Sequence, residues 1–290
     1  MERLDREADK WLAQLQPLDT QLEDDLERAK DDPAFFAERF LTFRPYSYQI
    51  AVLIDKSKRI TVRMSRQAGK TTTIAVRAIW FAATHPRTLS LIVAPSLRQS
   101  MIMMDRVQGF LYAMKTQDRK ALIGKIQRTV IWFKNGSQMV ALPCSPNLLR
   151  GYTAHQVLID EAAFFRDDEV IFYNVLYPMM ATTNGTLIAS STPWGKDSVF
   201  YKINSHPEIS KGWSKHYVPW QACVKPNGPI EPSFIEEVKQ VTPIERFRRE
   251  YDAEFVEDED SYFPQDLITK CIDPDLAMID ESAILAFHRR

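Results

Sequence analysis

From Phe35 onward the apolar residues gather into short runs rich in branched side chains: Ile60–Met64, Leu89–Ala94, Val130–Phe133, Met139–Leu142, Val157–Ile159 and Leu187–Ser190. Each is too short for a helix and reads as a buried strand. Between many of them lie helix-length segments with wider apolar spacing, such as Thr71–Ala83 and Leu97–Met114. This alternation predicts an α/β domain whose central sheet is mostly parallel and flanked by helices. One pair departs from it. Asn135-Gly136 separates two of the runs by a tight-turn dipeptide, so Val130–Phe133 and Met139–Leu142 are expected to form an antiparallel hairpin at the periphery.

The two ends read differently. Over residues 2–30 the apolar positions Leu4, Trp11, Leu15, Leu18, Leu22 and Leu26 are sparse among charges, which predicts a polar helix or helix pair. Residues 1–32 are therefore expected to be an appended helical arm, and 33–256 the α/β body. Glu254–Asp260 (EFVEDED) marks an acidic shift, and 257–290 read as a linker too short to fold as a domain. With 290 residues and 45% hydrophobic content, the chain can bury one large core.

Charge sharpens this division. The formal net charge of -1 conceals eleven acids against five bases in residues 1–32, nine against three in 257–290, and eighteen against twenty-nine between them. A basic body of this kind can meet a polyanion, or can be ordinary solvated surface. Cys144, Cys223 and Cys271 lie far apart without a C-x-x-C pair, so neither a zinc site nor a disulfide framework is expected. No run approaches the ~20 apolar residues that cross a bilayer, and no signal peptide is evident, which points to a protein of the cytoplasm.

The strongest local signal is Ser65-Arg66-Gln67-Ala68-Gly69-Lys70-Thr71-Thr72, placed directly after a predicted strand and before a helix. Backbone amides and a helix N-terminus there would surround phosphates, with Lys70 at the β/γ oxygens and Thr71 on Mg²⁺. The first glycine of the usual G-x-x-x-x-G-K-[ST] pattern is Met64 here. About ninety residues on, Val157-Leu158-Ile159-Asp160-Glu161 is an apolar strand ending in two carboxylates. Asp160 would order the magnesium shell and Glu161 would polarise the attacking water as general base. Ser190-Ser191-Thr192-Pro193 closes the next strand, where the hydroxyls of Ser191 and Thr192 can report the γ-phosphate. Together these motifs predict a P-loop NTPase of the additional-strand, RecA-like type.

A loop of the form S-R-Q-x-G-K-T-T, a hydrophobic Asp-Glu strand and an S-S-T-P-x-G segment together resemble the terminase large subunit, the viral motor that packages double-stranded DNA into procapsids. The resemblance covers about residues 35–264. It implies an ATP-hydrolysing, DNA-translocating domain that uses ATP and Mg²⁺, works as a homo-oligomeric ring with a portal protein and a small subunit, and resides in the infected host's cytoplasm. Carried over by residue, Arg44-Pro45-Tyr46-Ser47-Tyr48-Gln49 resembles the adenine motif: Gln49 would bond the base edge, and Tyr46 or Tyr48 would pack on the ring. Ser65, Arg66, Gln67, Ala68, Gly69, Lys70, Thr71 and Thr72 would hold the phosphates. Arg66 is the distinctive residue of that loop, and Arg150 stands where some members place an arginine finger, acting in trans or, alternatively, forming a surface ion pair.

Residues 98–134 carry eight bases, Arg98, Arg106, Lys115, Arg119, Lys120, Lys125, Arg128 and Lys134, against two acids, Asp105 and Asp118. The stretch, and within it Lys115, Arg119, Lys120, Lys125 and Arg128, is the candidate for sequence-independent contacts to the DNA backbone. Family members also carry a ribonuclease-H-like nuclease domain. Asp273 and Asp275 are assigned no role in one, and nuclease activity is not expected of this chain. The competing readings are a superfamily 2 helicase-like or other additional-strand DNA translocase, and a nucleotide-binding module without turnover, which Glu161 argues against.

Overall fold

The computed structural model describes residues 20–256 and Cys271. The readings made for residues 2–19, for the acidic run beyond Val256, and for Asp273 and Asp275 lie outside the described residues. One eight-stranded sheet organises the fold, in the order β3-β4-β5-β2-β6-β7-β1-β8. Its strands are β1 (Arg59–Met64), β2 (Leu89–Ala94), β3 (Ile123–Ile126), β4 (Val130–Phe133), β5 (Gln138–Pro143), β6 (Gln156–Ile159), β7 (Thr186–Ser191) and β8 (Ser214–Val218). From β5 to β8 all neighbours are parallel, whereas β4 runs antiparallel to both β3 and β5. The Asn135-Gly136 turn thus joins an antiparallel extension to a parallel core.

Strand periodicity sorts the core into two layers. Ile60, Val62, Ile92, Leu158 and Ile188 point to one face, while Leu91, Val93, Val157, Ile159, Leu187 and Ala189 point to the other. Both faces are covered, and β2, β6 and β7 accordingly carry apolar residues on both, whereas β1 alternates Ile60, Val62 and Met64 with Thr61 and Arg63. The first face carries α1 (Thr20–Asp31), α2 (Pro33–Leu41), α3 (Ser47–Ile54), α4 (Lys70–Thr84), α5 (Leu97–Ala113) and α6 (Thr116–Leu122); the second carries the helical segment 162–179 and α7 (Val199–Ser205). Helices α8 (Pro232–Val241) and α9 (Ile244–Glu250) complete the first layer through Ile235 and Phe247.

The described part of the N-terminal arm is not an appendage. Leu22 and Ala29 of α1 are buried in the same core as the strands, and Trp80 Nε1 of α4 donates to the Ala29 carbonyl at 2.7 Å. Arg39 of α2 adds an ionic clamp, 2.6 Å from Asp25 Oδ2 of α1 and 2.7 Å from Asp118 Oδ2 of α6. The charged surface of residues 20–31 masks its two buried positions, so the sequence reads as more detached than the packing is.

The two strands absent from the sequence reading are the sheet's edges. β3 is Ile-Gly-Lys-Ile and β8 is Ser-Lys-His-Tyr-Val, so neither presents an apolar run. β8 nevertheless pairs with β1 along Ile60–Met64 and fixes its end.

Helix α4 also secures its neighbour α3. Arg77 is buried and donates to the carbonyls of Val52, Leu53 and Asp55 at 2.8, 2.6 and 2.6 Å, supplying donors to carbonyls that a helix end leaves without partners. Burial pushes its guanidinium down to about 10, with the Asp55 charge opposing that shift. Burial would also raise the Asp55 carboxyl, but hydrogen bonds from Ser214, Ser57 and His216 outweigh it and hold the group at about 2. Replacing Arg77 by Met leaves the buried carbonyls of Val52 and Leu53 and the half-buried carbonyl of Asp55 without these donors. Arg77→Met is expected to lower stability by about 3 kcal/mol in urea denaturation, since hydrogen bonds to charged groups contribute ~1.5–3 kcal/mol; a midpoint equal to the parent's would remove this role.

Candidate nucleotide site

The sheet delivers its chemistry at the carboxyl ends of β1, β6 and β7, where ligands bind in open parallel sheets. Met64 ends β1 fully buried, so the position of the usual first glycine is a core position in this chain. The loop instead turns through two residues in the left-handed region, Gln67 (φ 64) and Gly69 (φ 81). The φ of Gly69 disfavours a side chain, and a Cβ there would stand 2.7 Å from Gln49 Nε2, so that the glutamine amide would have to shift. The amides of Gln67, Gly69 and Lys70 donate to no other backbone group among the described residues. They border the cleft at the N-terminus of α4, where such amides could receive an anion.

Three outside contacts fix the loop's shape. Ser65 N donates to the Val218 carbonyl of β8, Arg66 N to the Glu250 carbonyl of α9, and Tyr48 Oη to the Ala68 carbonyl, each at 2.8 Å. The Arg66 guanidinium returns to the same helix end, 3.1 Å from Glu250 Oε2.

Facing the loop, β6 presents its two carboxylates. Asp160 Oδ2 accepts from Thr71 Oγ1 at 3.0 Å, and Ser190 Oγ of β7 lies 3.0 Å from Asp160 Oδ1. Glu161 sits in the left-handed region (φ 56), a conformation that costs a non-glycine residue about 1–3 kcal/mol and is held here by its surroundings. That turn brings Glu161 Oε1 to 3.1 Å from Lys70 Nζ and Oε2 to 3.3 Å from Ser191 Oγ. Lys70 is buried and also lies 3.8 Å from Asp160 Oδ1. The phosphate-loop lysine, both acids and both serines therefore form one connected polar cluster.

A cleft of about 420 Å³ opens above this cluster, lined among others by Phe43, Tyr46, Gln49, Arg66, Lys70 and Glu161. Ser65, Gln67, Gly69, Thr71, Thr72 and Thr192 also line it, while Ala68, Asp160 and Ser191 lie beneath the surface. The two tyrosines divide their work. Tyr46 faces the cleft, whereas Tyr48 stacks on it at 5.9 Å and braces the loop through Ala68, its own hydroxyl raised above the usual phenol range by burial. Gln49 is buried, with Oε1 accepting from Tyr46 N at 2.9 Å, so its amide nitrogen is the end left for a ligand.

Other candidates stand apart from the cleft. Arg150 is exposed after β5, and β2, β6 and β7 separate that strand from β1. Lys115, Lys120, Lys125 and Arg128 are exposed on α6, β3 and the turn after it, at the opposite sheet edge from β8; Arg119 is half-buried and donates to the Tyr112 carbonyl at 3.0 Å. Asp118, one of only two acids in that stretch, is buried against Arg39, which leaves the exposed surface of α6 more basic than the sequence suggests. Three further residues line the cleft without being placed there by the sequence. Phe43 directly precedes the adenine-like motif, and that adjacency is the one signal for it; Arg106 falls within the basic stretch, and Pro229 carries no signal.

Set beside known proteins, this arrangement has counterparts. The terminase large subunit of Thermus phage G20c is 23% identical over 273 residues, covering 82% of this chain and 54% of that protein. This chain thus spans about half the length of the curated relatives it matches. Among solved structures, a mutant ATPase domain of the Thermus phage P74-26 large terminase superposes with a TM-score of 0.64 at 22% identity, covering 77% of this chain and 98% of that one. The large terminase of a thermophilic bacteriophage, solved in complex with ADP, gives 0.59 at 15% identity over 73% of this chain and 54% of that one. The family model described as terminase large subunit, T4-like-virus type, N-terminal, matches residues 62–270, and by that match the chain belongs to the family.

Proposed function

We propose that this chain is an ATP-hydrolysing motor domain that drives double-stranded DNA into a procapsid. The observation that carries the reading is the contact of Lys70 with Glu161 at 3.1 Å directly above a free-amide loop. Glu161 compensates the charge of the buried lysine. Phosphate oxygens entering the loop compete for Lys70, and the carboxylate they release is left beside the γ-phosphate position, where a general base belongs. Ser191 touches Glu161 and Thr192 lines the cleft, and these contacts support reading the two as sensors of that exchange.

The donors also suit Mg²⁺. A hydroxyl and a carboxylate, Thr71 and Asp160, match a small hard cation that keeps several waters and takes the rest of its shell from phosphates. Bound there, Mg²⁺ would offset charge on the β and γ oxygens. Tyr46 and Gln49 serve the base, and the ADP complex of the thermophilic phage's large terminase agrees with a nucleotide as ligand. Arg150, exposed and outside its own cleft, is read as a finger that completes a neighbouring subunit's site in a ring. The basic edge formed by α6 and β3 is read as the backbone contact to DNA, and a portal protein and a small subunit as further partners.

Lys70→Ala is expected to abolish ATP turnover in a folded protein. Glu161→Gln should keep ATP affinity while turnover falls on the order of 10²-fold or more. Near-parental hydrolysis by either variant in a steady-state phosphate-release assay would sink the reading.

For DNA, reversing the charges of Lys115, Arg119 and Lys120 together should weaken binding alike for all sequences. The log–log salt slope should flatten by about 2–3, at ~0.9 for each phosphate that is no longer neutralised. An unchanged slope would place the DNA elsewhere.

A further inference from the structure

Three cations line the cleft, and two already have partners. Lys70 lies 3.1 Å from Glu161 and 3.8 Å from Asp160, and Arg66 lies 3.1 Å from Glu250. The third, Arg106, reaches the cleft from the exposed face of α5, and among the described residues its guanidinium has no hydrogen-bond or ion-pair partner. These three cations and three carboxylates balance formally. A nucleoside triphosphate then brings several further negative charges, and Arg66 and Lys70 must each leave a carboxylate to meet them. Arg106 has nothing to give up, so a charge-assisted bond from it is offset only by its own desolvation.

The surroundings of Arg106 fix where it is presented. On one side is the cleft, with Phe43 packed edge-on against Phe110, a neighbour of Arg106 one turn along α5, at 5.6 Å. On the other side Arg106 borders an open recess of about 800 Å³ that it lines together with Leu41, Ile102, Phe110, Ala113 and the exposed Asp105. The helix is itself well held: α5 opens on a Ser96 side-chain cap and buries Met103, Met104, Val107 and Leu111. Arg106 is therefore presented from a fixed wall.

We propose that Arg106 is a nucleotide-binding residue whose guanidinium takes oxygens of the polyphosphate from the α5 wall, within the same subunit. The proposal rests on the nucleotide reading of the cleft and removes Arg106 from the basic stretch assigned to DNA. Unlike Arg150, it acts without assembly, so it is to be seen in the monomer.

Calorimetric titration with ATPγS, ADP and adenosine tests it on the parent chain, Arg106→Ala, Arg106→Lys and Lys70→Ala. Arg106 is exposed, and matching thermal melts would show that its variants fold. Arg106→Ala is expected to weaken ATPγS and ADP about tenfold or more while leaving adenosine unchanged, with Arg106→Lys between the two. Raising the salt should narrow the gap between parent and Arg106→Ala. Unchanged ATPγS affinity in Arg106→Ala, alongside its loss in Lys70→Ala, would overturn the inference and leave the site reading standing. An equal loss for adenosine would also overturn it, by moving the contact to the base or ribose. If Lys70→Ala bound ATPγS like the parent, the nucleotide reading itself would fall.

Discussion

A buried lysine requires counter-charges, and much of this fold is arranged around the requirement. Lys70 is almost wholly enclosed, and an isolated ammonium in that position would be costly to desolvate. Asp160 and Glu161 supply the compensation only because β6 lies two strands from β1 and the two end at the same rim of the sheet. Compensation by carboxylates is also what makes the site responsive. On the reading proposed above, Lys70 exchanges the Glu161 carboxylate for a phosphate oxygen when nucleotide binds, and Ser191 is in contact with that carboxylate.

The same constraint explains the supports behind the loop. A strand order in which β8 flanks β1 lets an edge strand fix Ser65, and α9 fixes Arg66 with both its final carbonyl and its final side chain. Tyr48 holds Ala68, and Arg77 anchors the helix on which Tyr48 and Gln49 stand. The free amides of Gln67, Gly69 and Lys70 are thus presented by a frame drawn from β8, α9, α3 and α4. Removing the first glycine of the usual pattern is tolerated because Met64 fills the core and the turn is made by Gln67 and Gly69 instead.

Buried elements were legible in the sequence, and edge elements were not. Six strands announce themselves because apolar residues dominate them, even where Thr61 and Arg63 alternate along β1 and Ser90 stands in β2, and β2 and β4 have the same bounds in sequence and structure. β3 and β8 are half-covered, so their polar positions hide them. In the site, the phosphate loop and the Asp160–Glu161 pair were readable because their chemistry depends on local spacing. Arg106 was not, since a lining position on a helix is set by how α5 packs on α4, and nothing in a run of bases separates an arginine facing a cleft from one facing solvent. The roles of Tyr46 and Tyr48 also needed coordinates: two residues apart on a helix start, their orientation follows from the cap that Gln49 makes with Tyr46 N.

If nucleotide takes Lys70 from Glu161, the exchange will be visible in a crystal structure of the chain with Mg²⁺ and a non-hydrolysable ATP analogue. Lys70 Nζ is expected on the β and γ oxygens and its 3.1 Å contact with Glu161 opened, with the carboxylate turned toward the water beyond the γ-phosphate. An analogue fully bound in the loop with the Lys70–Glu161 contact intact would be incompatible with that exchange.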